Sequence, residues 1–404
     1  MQRVEDLALA DLRMGDSAFA IDPASGFAAA RERHPWLAKW SYGYIVTNYE
    51  AMRDLFRMED KMRTGFAALV ELMGAEGTPW GRFQQNHLTG SSGRYHDRLR
   101  NILAFAFTPR QANQHRALMR QVISKLLDVW TPRRAFDFAE FAALFPISVM
   151  CALIGASSDV VASVRSSMDV LGMSVSMDRN LLPALQQAIA VLDEFVHRLI
   201  AERRAPGRPV KEPDLLDVLL QAQETGGLTD RELADLLILL FAAGYDTTKN
   251  QLTLAMHQLV QRPEMYRRCG EDLDFSRKVV EESLRYHGNV STSRILNEDI
   301  AYRDVLLPKD AMIWLPMNMA GRDPSAFDDA DAFLPERNGG NAHISFGLGP
   351  HICLGQFLAR AQMQEGLHLI AQRIKNPCSP GPAGWRPFPG VWGITSLPIE
   401  FEPA

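Results

Sequence analysis

The run LTDRELADLLILLFAAGYDTTKNQLTLAMHQLVQ, Leu228 to Gln261, limits the fold more than any other stretch. It keeps three- and four-residue apolar spacing over roughly 30 residues, about 45 Å of helix at 1.5 Å per residue. Its start is well marked. Thr229 stands as N-cap with Glu232 three residues on, a capping box, and Leu228 and Leu233 flank it at staple spacing. Arg262-Pro263 stops it. From Leu233 to Ala243 it is apolar on nearly all sides, which predicts burial throughout. A helix that long and that buried needs other helices wrapped around it.

Those helices are predicted over 110–130, 136–155, 158–171, 183–204 and 214–223. APGRPVKEPD, Ala205 to Asp214, is a polar Pro/Gly loop between two of them. Strand-like runs are few: YGYIVTN, DIAYRDVLLP, AMIWLPM and the C-terminal TSLPIEFEP. The expectation is a mainly α protein with minor β-sheets. No linker is long or polar enough to divide residues 1–404, so one domain is expected. A net charge of -5 supplies no basic field for nucleic acid. The N-terminus MQRVEDLALADLRMGD is broken by charges, and no segment runs apolar for about 18 residues, the rough minimum for a membrane span. A cytoplasmic protein without a membrane anchor is expected.

The four cysteines make no C-x-x-C pair. Cys151 lies in the apolar run SVMCALIG and reads as core. Cys269 and Cys378 sit among polar residues. Cys353 is different. It lies in FGLGPHICLG, Phe346 to Gly355, just ahead of a helical pattern. A thiolate there suits either a nucleophile or a metal ligand. A nucleophile needs a base, and His351 is only two residues away, whereas catalytic pairs come from separate parts of a fold. Gly347 and Gly349 before the thiol and Gly355 after it allow a tight turn and the close approach of a large flat group, with Phe346 packed beside it. One thiolate with no second protein ligand points to a cofactor that brings its own ligands, as haem does.

Three further patterns carry chemistry. AGYDTT, Ala243 to Thr248, breaks the helical propensity of the long run. Either the helix ends there, or it continues with a local distortion in which a Thr hydroxyl bonds the carbonyl four residues back. In the second reading Gly244 leaves room against the backbone, and Asp246 with Thr247 forms an acid–alcohol pair suited to proton delivery. EESLR sets Glu282 and Arg285 at i, i+3, usually a surface ion pair. YHDRLR sets His96 and Arg100 at i, i+4, either a solvated basic face or two donors aimed at an anion.

Together, in this order, the patterns resemble the cytochrome P-450 family of haem-thiolate monooxygenases. FGLGPHICLG matches the family's cysteine-ligand loop at every defined position, AGYDTT its oxygen-activating helix, Glu282-x-x-Arg285 its Glu-x-x-Arg motif, and HDRLR its propionate-binding helix. The resemblance implies that fold, with the long helix lying over the haem. It implies haem b (iron protoporphyrin IX), with Cys353 as the iron ligand and Ala243, Gly244, Phe346, Gly347 and Gly355 against the ring. His96, Arg100, Arg294 and His351 become propionate partners. Arg337 in FLPERN joins Glu282 and Arg285 in a structural triad, and Asp246 and Thr247 become the acid and alcohol on the oxygen side. MAGRDPSAF departs from the family pattern, with Gly321 where Asn is usual, and a local loop difference is expected.

The implied activity is hydroxylation of a hydrophobic, terpenoid- or hydrocarbon-like small molecule by O2. No nucleotide-binding glycine motif or iron–sulfur cysteine set is visible, so electrons are expected from a [2Fe–2S] ferredoxin and its NAD(P)H-dependent reductase. Arg94, Arg98, Arg100, Arg110 and Arg116 form either a docking patch for it or a solvated face. By resemblance the pocket is lined by Phe66, Leu69, Val70, Met73, Met173, Met177, Leu239, Val290, Trp392 and Ile394. The alternatives are a non-catalytic haem sensor and a peroxide-driven haem-thiolate enzyme.

Overall fold

The central helix forms where the capping box predicts, over Asp230–Val260. The Thr229 side chain accepts from the Glu232 N–H, and the Glu232 carboxylate accepts from the Thr229 N–H at 2.8 Å. The helix does not end at AGYDTT. Thr247 Oγ1 donates to the Ala243 carbonyl at 2.8 Å, one turn back, and the helical pattern continues past it. A computed structural model describes residues 1–205 and 213–403; residues 206–212 of the expected Pro/Gly loop lie outside the described residues.

Helices surround the central one because its apolar sides must be covered. Phe138–Ile154 packs along it, with Leu182–Arg204 and Val161–Leu171 beside them. On the other side the cysteine helix, Gln356–Arg373, packs on Arg116–Trp130, Pro263–Glu271 and Leu273–Tyr286. The chain is 59% helical, the mainly α class that was expected. Among the described residues no helix is long and apolar enough to cross a membrane.

The largest sheet holds strands β1 (Leu37–Trp40), β2 (Gly43–Val46), β3 (Met62–Thr64), β4 (Thr292–Leu296) and β5 (Met312–Leu315). Their spatial order is β1-β2-β5-β4-β3, with only β2–β5 parallel. Gly43 sits at φ +145°, and a Cβ there would lie 3.1 Å from the Met312 carbonyl carbon, so the β2–β5 approach needs glycine. One hydrophobic core surrounds the central helix; a second lies under the sheet around Trp36, Leu55, Ile313 and Leu315.

Several boundaries differ from expectation for identifiable reasons. The 110–130 helix is interrupted at His115, leaving Pro109–Gln114 and Arg116–Trp130. Residues Ala135–Asp137 are strand, paired with the C-terminal strand Pro398–Pro403, and Asp137 then caps the next helix by accepting from the Ala139 N–H. The 158–171 segment opens with a 3-10 turn before Val161–Leu171. Cys269 is not in polar surroundings: it is fully buried, and burial pushes its thiol up to about 12, as it does for Cys151.

Candidate functional site

The Cys353 loop is shaped by two glycines. Gly347 and Gly349 sit at φ +73° and +71°, the left-handed region where other residues are strained. The turn brings the Cys353 N–H back to the Phe346 carbonyl at 2.8 Å. Beside the thiol, the nearest atom a Cβ on Gly355 would meet is Cys353 Sγ itself, at 4.0 Å. Cys353 presents open surface, yet surrounding protein pushes its thiol pKa up, with the Gly355 N–H, Arg100 and Arg360 pulling the other way. Both observations fit a thiol on the wall of an interior cleft.

Four nitrogen-bearing side chains converge next to this loop. The rings of His96 and His351 meet at a 45° tilt with centres 4.2 Å apart. Arg100, from the helix Gly93–Ala104, donates to the Ile352 carbonyl at 2.7 Å. Arg294, on β4 and 3% exposed, donates to Glu59 Oε1 at 2.9 Å; His351 Nε2 lies 3.6 Å from the same oxygen. Burial first, then Arg294, His96 and Arg100, push His351 down to about 3. The opposing charges are Glu59, whose Oε2 is buried without a partner, and the mostly exposed Asp97 beside His96. Glu59 was not foreseen: it sits in a short charged turn, Glu59–Lys61, that reads as solvated surface.

The central helix contributes one open stripe. Leu239, Ala243 and Thr247, at i, i+4 and i+8, are half-open or open, while Phe241, Tyr245 and Asp246 around them are buried. Gly244 does not provide this opening. A Cβ there would meet Met150 Sδ at 2.8 Å, so its missing side chain makes room for the helix Phe138–Ile154. Burial throughout Leu233–Ala243 is therefore corrected at Leu239, Ala242 and Ala243.

Asp246 does not share the open stripe. Its Oδ2 accepts from Arg386 Nη1 at 2.7 Å, and its Oδ1 accepts from Asn250 Nδ2 at 3.1 Å, with Lys249 Nζ at 3.5 Å. Lys249 also reaches Asp169 on the helix Val161–Leu171 at 2.5 Å, and Tyr245 donates to the same carboxylate at 2.8 Å. A Cβ on Gly172 would lie 2.6 Å from Asp246 Cγ, so Gly172 makes room for the carboxylate. Asn289 Nδ2 donates to the Thr247 carbonyl at 2.5 Å. Arg386, Asp169 and Asn289 gave no signal in sequence, being remote from the motifs they serve.

The triad assembles. Arg285 donates Nε and Nη2 to the two oxygens of Glu282, both at 2.7 Å, with Arg337 Nη2 at 3.5 Å. Arg285 also donates to the carbonyls of Gly321, Ala330 and Ala332. Gly321 is a steric requirement, since a Cβ there would press on the Arg285 carbonyl.

The chain is similar to known proteins in sequence and in fold. A family model for cytochrome P-450 matches residues 45–401. A luteothin monooxygenase from Streptomyces thioluteus is 32% identical over 93% of this chain and 92% of its own. A pentalenic acid synthase from Streptomyces avermitilis is 30% identical over 96% of each. Among solved structures, the BioI cytochrome P-450, bound to an acyl carrier protein ligated with hexadec-9Z-enoic acid, superposes with a TM-score of 0.85. It is 26% identical and covers 96% of this chain and 100% of its own.

The chain belongs to the cytochrome P-450 family.

Members of this family are haem-dependent monooxygenases that use O2 and a redox partner. The residues present fit a haem. Among the described residues Arg294 Nη2 and Arg100 Nη1 donate to no protein acceptor, and these spare donors beside the two histidines suit two further carboxylates.

Part of the expected pocket wall lies elsewhere in this cytochrome P-450. Phe66, Met173, Leu239 and Val290 are half-buried, as a lining requires. Leu69, Val70, Met73, Met177, Trp392 and Ile394 are buried in the core. The helix Phe66–Met73 is amphipathic and turns Leu69, Val70 and Met73 inward. Trp392 stacks on Trp385 at 5.1 Å and donates Nε1 to the Ala20 carbonyl at 2.8 Å.

The arginine cluster is mostly engaged within the chain. Arg98 pairs with Glu232, Arg116 with Glu365 at 2.9 Å, and Arg100 with the cysteine loop. Arg94 and Arg110 remain exposed.

Proposed function

We propose that the Cys353 thiolate holds the iron of haem b. The carboxylates of the haem would take His96, Arg100, Arg294 and His351. The substrate would lie between the ring and the Leu239–Ala243–Thr247 stripe. The observation that carries this reading is the convergence of those four donors beside an open thiol. Bound haem supplies the activation of O2 and the insertion of one oxygen atom into substrate.

The chain's own residues do the rest. Thr247 offers a hydroxyl whose hydrogen is directed to the Ala243 carbonyl until a better acceptor arrives. Asp246 is the acid beside it in sequence, fixed by Arg386 and Asn250. Glu282, Arg285 and Arg337 hold the segment leading into the cysteine loop. The set of half-buried Phe66, Met173, Leu239 and Val290 with exposed Ala243 is apolar. It supports a hydrophobic substrate, terpenoid- or hydrocarbon-like. The names of the relatives point the same way: one is a pentalenic acid synthase, another a polyketide biosynthesis cytochrome P-450.

Electrons would come from a separate [2Fe–2S] ferredoxin with an NAD(P)H-dependent reductase. Phe357, 38% exposed and four residues after Cys353, together with the exposed Arg110, supports docking near the cysteine helix. One haem domain of residues 1–404 in the cytoplasm accommodates all of this.

The test is a spin-state titration of the holoprotein with a panel of terpenoids, polyketides and fatty acyl compounds. Turnover with ferredoxin, reductase, NAD(P)H and O2 then follows. A ligand that shifts the Soret band and yields a monooxygenated product supports the reading. Product formed with peroxide but with no reductive system would replace it by a peroxide-driven enzyme.

A further inference from the structure

Arg360 lies on the second turn of the cysteine helix, and nothing in the oxygen chemistry above uses it. Its guanidinium carbon sits 4.4 Å from the centre of the Phe346 ring. Phe346 is the residue whose carbonyl accepts from the Cys353 N–H. Arg360 is held from two sides: Nη1 donates to Gln356 Oε1 at 3.1 Å, and Nε donates to Glu281 Oε1 at 2.8 Å.

Glu281 comes from a different helix, Leu273–Tyr286, where it stands next to the triad residue Glu282. Its other oxygen, Oε2, lies 3.0 Å from His343 Nε2. Burial raises the Glu281 carboxyl, but the His343 and Arg360 contacts outweigh it and leave the group below its ordinary range, so it is ionised at neutral pH. Arg360 is seated on the side chain of the residue whose carbonyl holds the Cys353 N–H at 2.8 Å. A cation seated on the ring of a cysteine-loop residue is thus backed by an anion held between it and His343.

We propose that Arg360, oriented by Glu281 and seated on Phe346, is a positioning residue that sets the charge felt by the Cys353 thiolate, and through it the reduction potential of the bound haem. The inference rests on Cys353 being the iron ligand. A cation beside the thiolate withdraws electron density from the iron–sulfur bond and favours the reduced metal. Removing it favours the ferric form. Removing the Glu281 charge leaves Arg360 less neutralised and acts in the opposite sense.

The opposite signs separate electrostatics from simple structural damage, which would move both variants the same way. The measurement is a spectroscopic redox titration of holoprotein at one pH for wild type, Arg360→Met, Arg360→Lys and Glu281→Gln. At a fixed poise, Arg360→Met is expected to lower the ferrous-to-ferric ratio about tenfold, about 59 mV for a one-electron couple. Arg360→Lys should recover most of the loss, and Glu281→Gln should raise the ratio above wild type. Equal potentials in all four proteins, or shifts of one sign in Arg360→Met and Glu281→Gln, would overturn the proposal. If Arg360→Met does not retain haem, the Glu281→Gln shift decides alone, and its absence counts against the proposal. A wild-type protein whose ferrous carbonyl lacks the thiolate signature would instead overturn the Cys353 assignment underneath it.

Discussion

Gly321→Ala is the smallest change that probes the proximal scaffold. A methyl at this position would press on the Arg285 carbonyl oxygen, 2.8 Å from its carbonyl carbon and 2.9 Å from Arg285 Cγ. Gly321 φ is -71°, so the objection is contact and not backbone conformation. Arg285 cannot step aside, because its guanidinium spans Glu282 and the carbonyls of Gly321, Ala330 and Ala332. Forcing a methyl into such a site costs about 1–3 kcal/mol. Losing the charged hydrogen bond from Arg285 to the Gly321 carbonyl costs about 1.5–3 kcal/mol more. The sum, about 3–5 kcal/mol, becomes a fall of about 1 M in urea midpoint if the denaturant slope is about 3–4 kcal/mol/M for a chain of this length. Tryptophan fluorescence and Soret absorbance follow the transition together. Gly381→Ala is the control: nothing lies within 4 Å of its Cβ and its φ is not positive, so its midpoint should stay put or rise slightly. Equal midpoints for the two variants would refute the steric account, and Asn at 321, usual elsewhere in the family, would then be expected to fit as well.

Thr247→Ala should keep haem and fold but release peroxide in place of product, read as NAD(P)H consumed per product formed; unchanged coupling would remove Thr247 from the proton route. Arg386→Met strands the buried Asp246 carboxylate and should cost about 3–5 kcal/mol in urea unfolding; a loss below about 1 kcal/mol would mean Asn250 and Lys249 suffice. His87 is buried and held neutral: its Nδ1 accepts from the Gly90 N–H at 3.0 Å, its Nε2 faces Gln84 Oε1, and burial pushes it down to about 4. The unfolded chain therefore binds the proton first, so stability is full above about pH 6.5 and falls by about 3 kcal/mol as pH drops toward the folded value. His87→Asn should flatten that part of the urea midpoint–pH curve, and an unaltered slope would contradict the assignment.

What was legible in the sequence was local. The Thr229–Glu232 cap and the run behind it defined the central helix because both signals lie within a few residues of the bonds they make. The cysteine loop was legible because its glycines are needed for its own turn. Contacts made across the fold were not. Glu59 meets Arg294 and His351 only after β3 is laid beside β4, and Arg386 reaches Asp246 from 140 residues away. Periodicity also could not say which face of an all-apolar helix stays open. Leu239 and Ala243 are as apolar as Leu237 and Phe241, and only the packing of Phe138–Ile154 and Leu182–Arg204 decides between them. The same ambiguity placed Trp392 and Leu69 on the pocket wall when their partners pull them into the core.

The central claim is that the Cys353 thiolate binds the haem iron. The direct measurement is the absorption spectrum of dithionite-reduced protein with and without carbon monoxide, for wild type and Cys353→Ser. The account predicts a strongly red-shifted Soret band of the carbonyl complex in wild type, lost in Cys353→Ser. A wild-type carbonyl band without that shift, or its survival in Cys353→Ser, would contradict it.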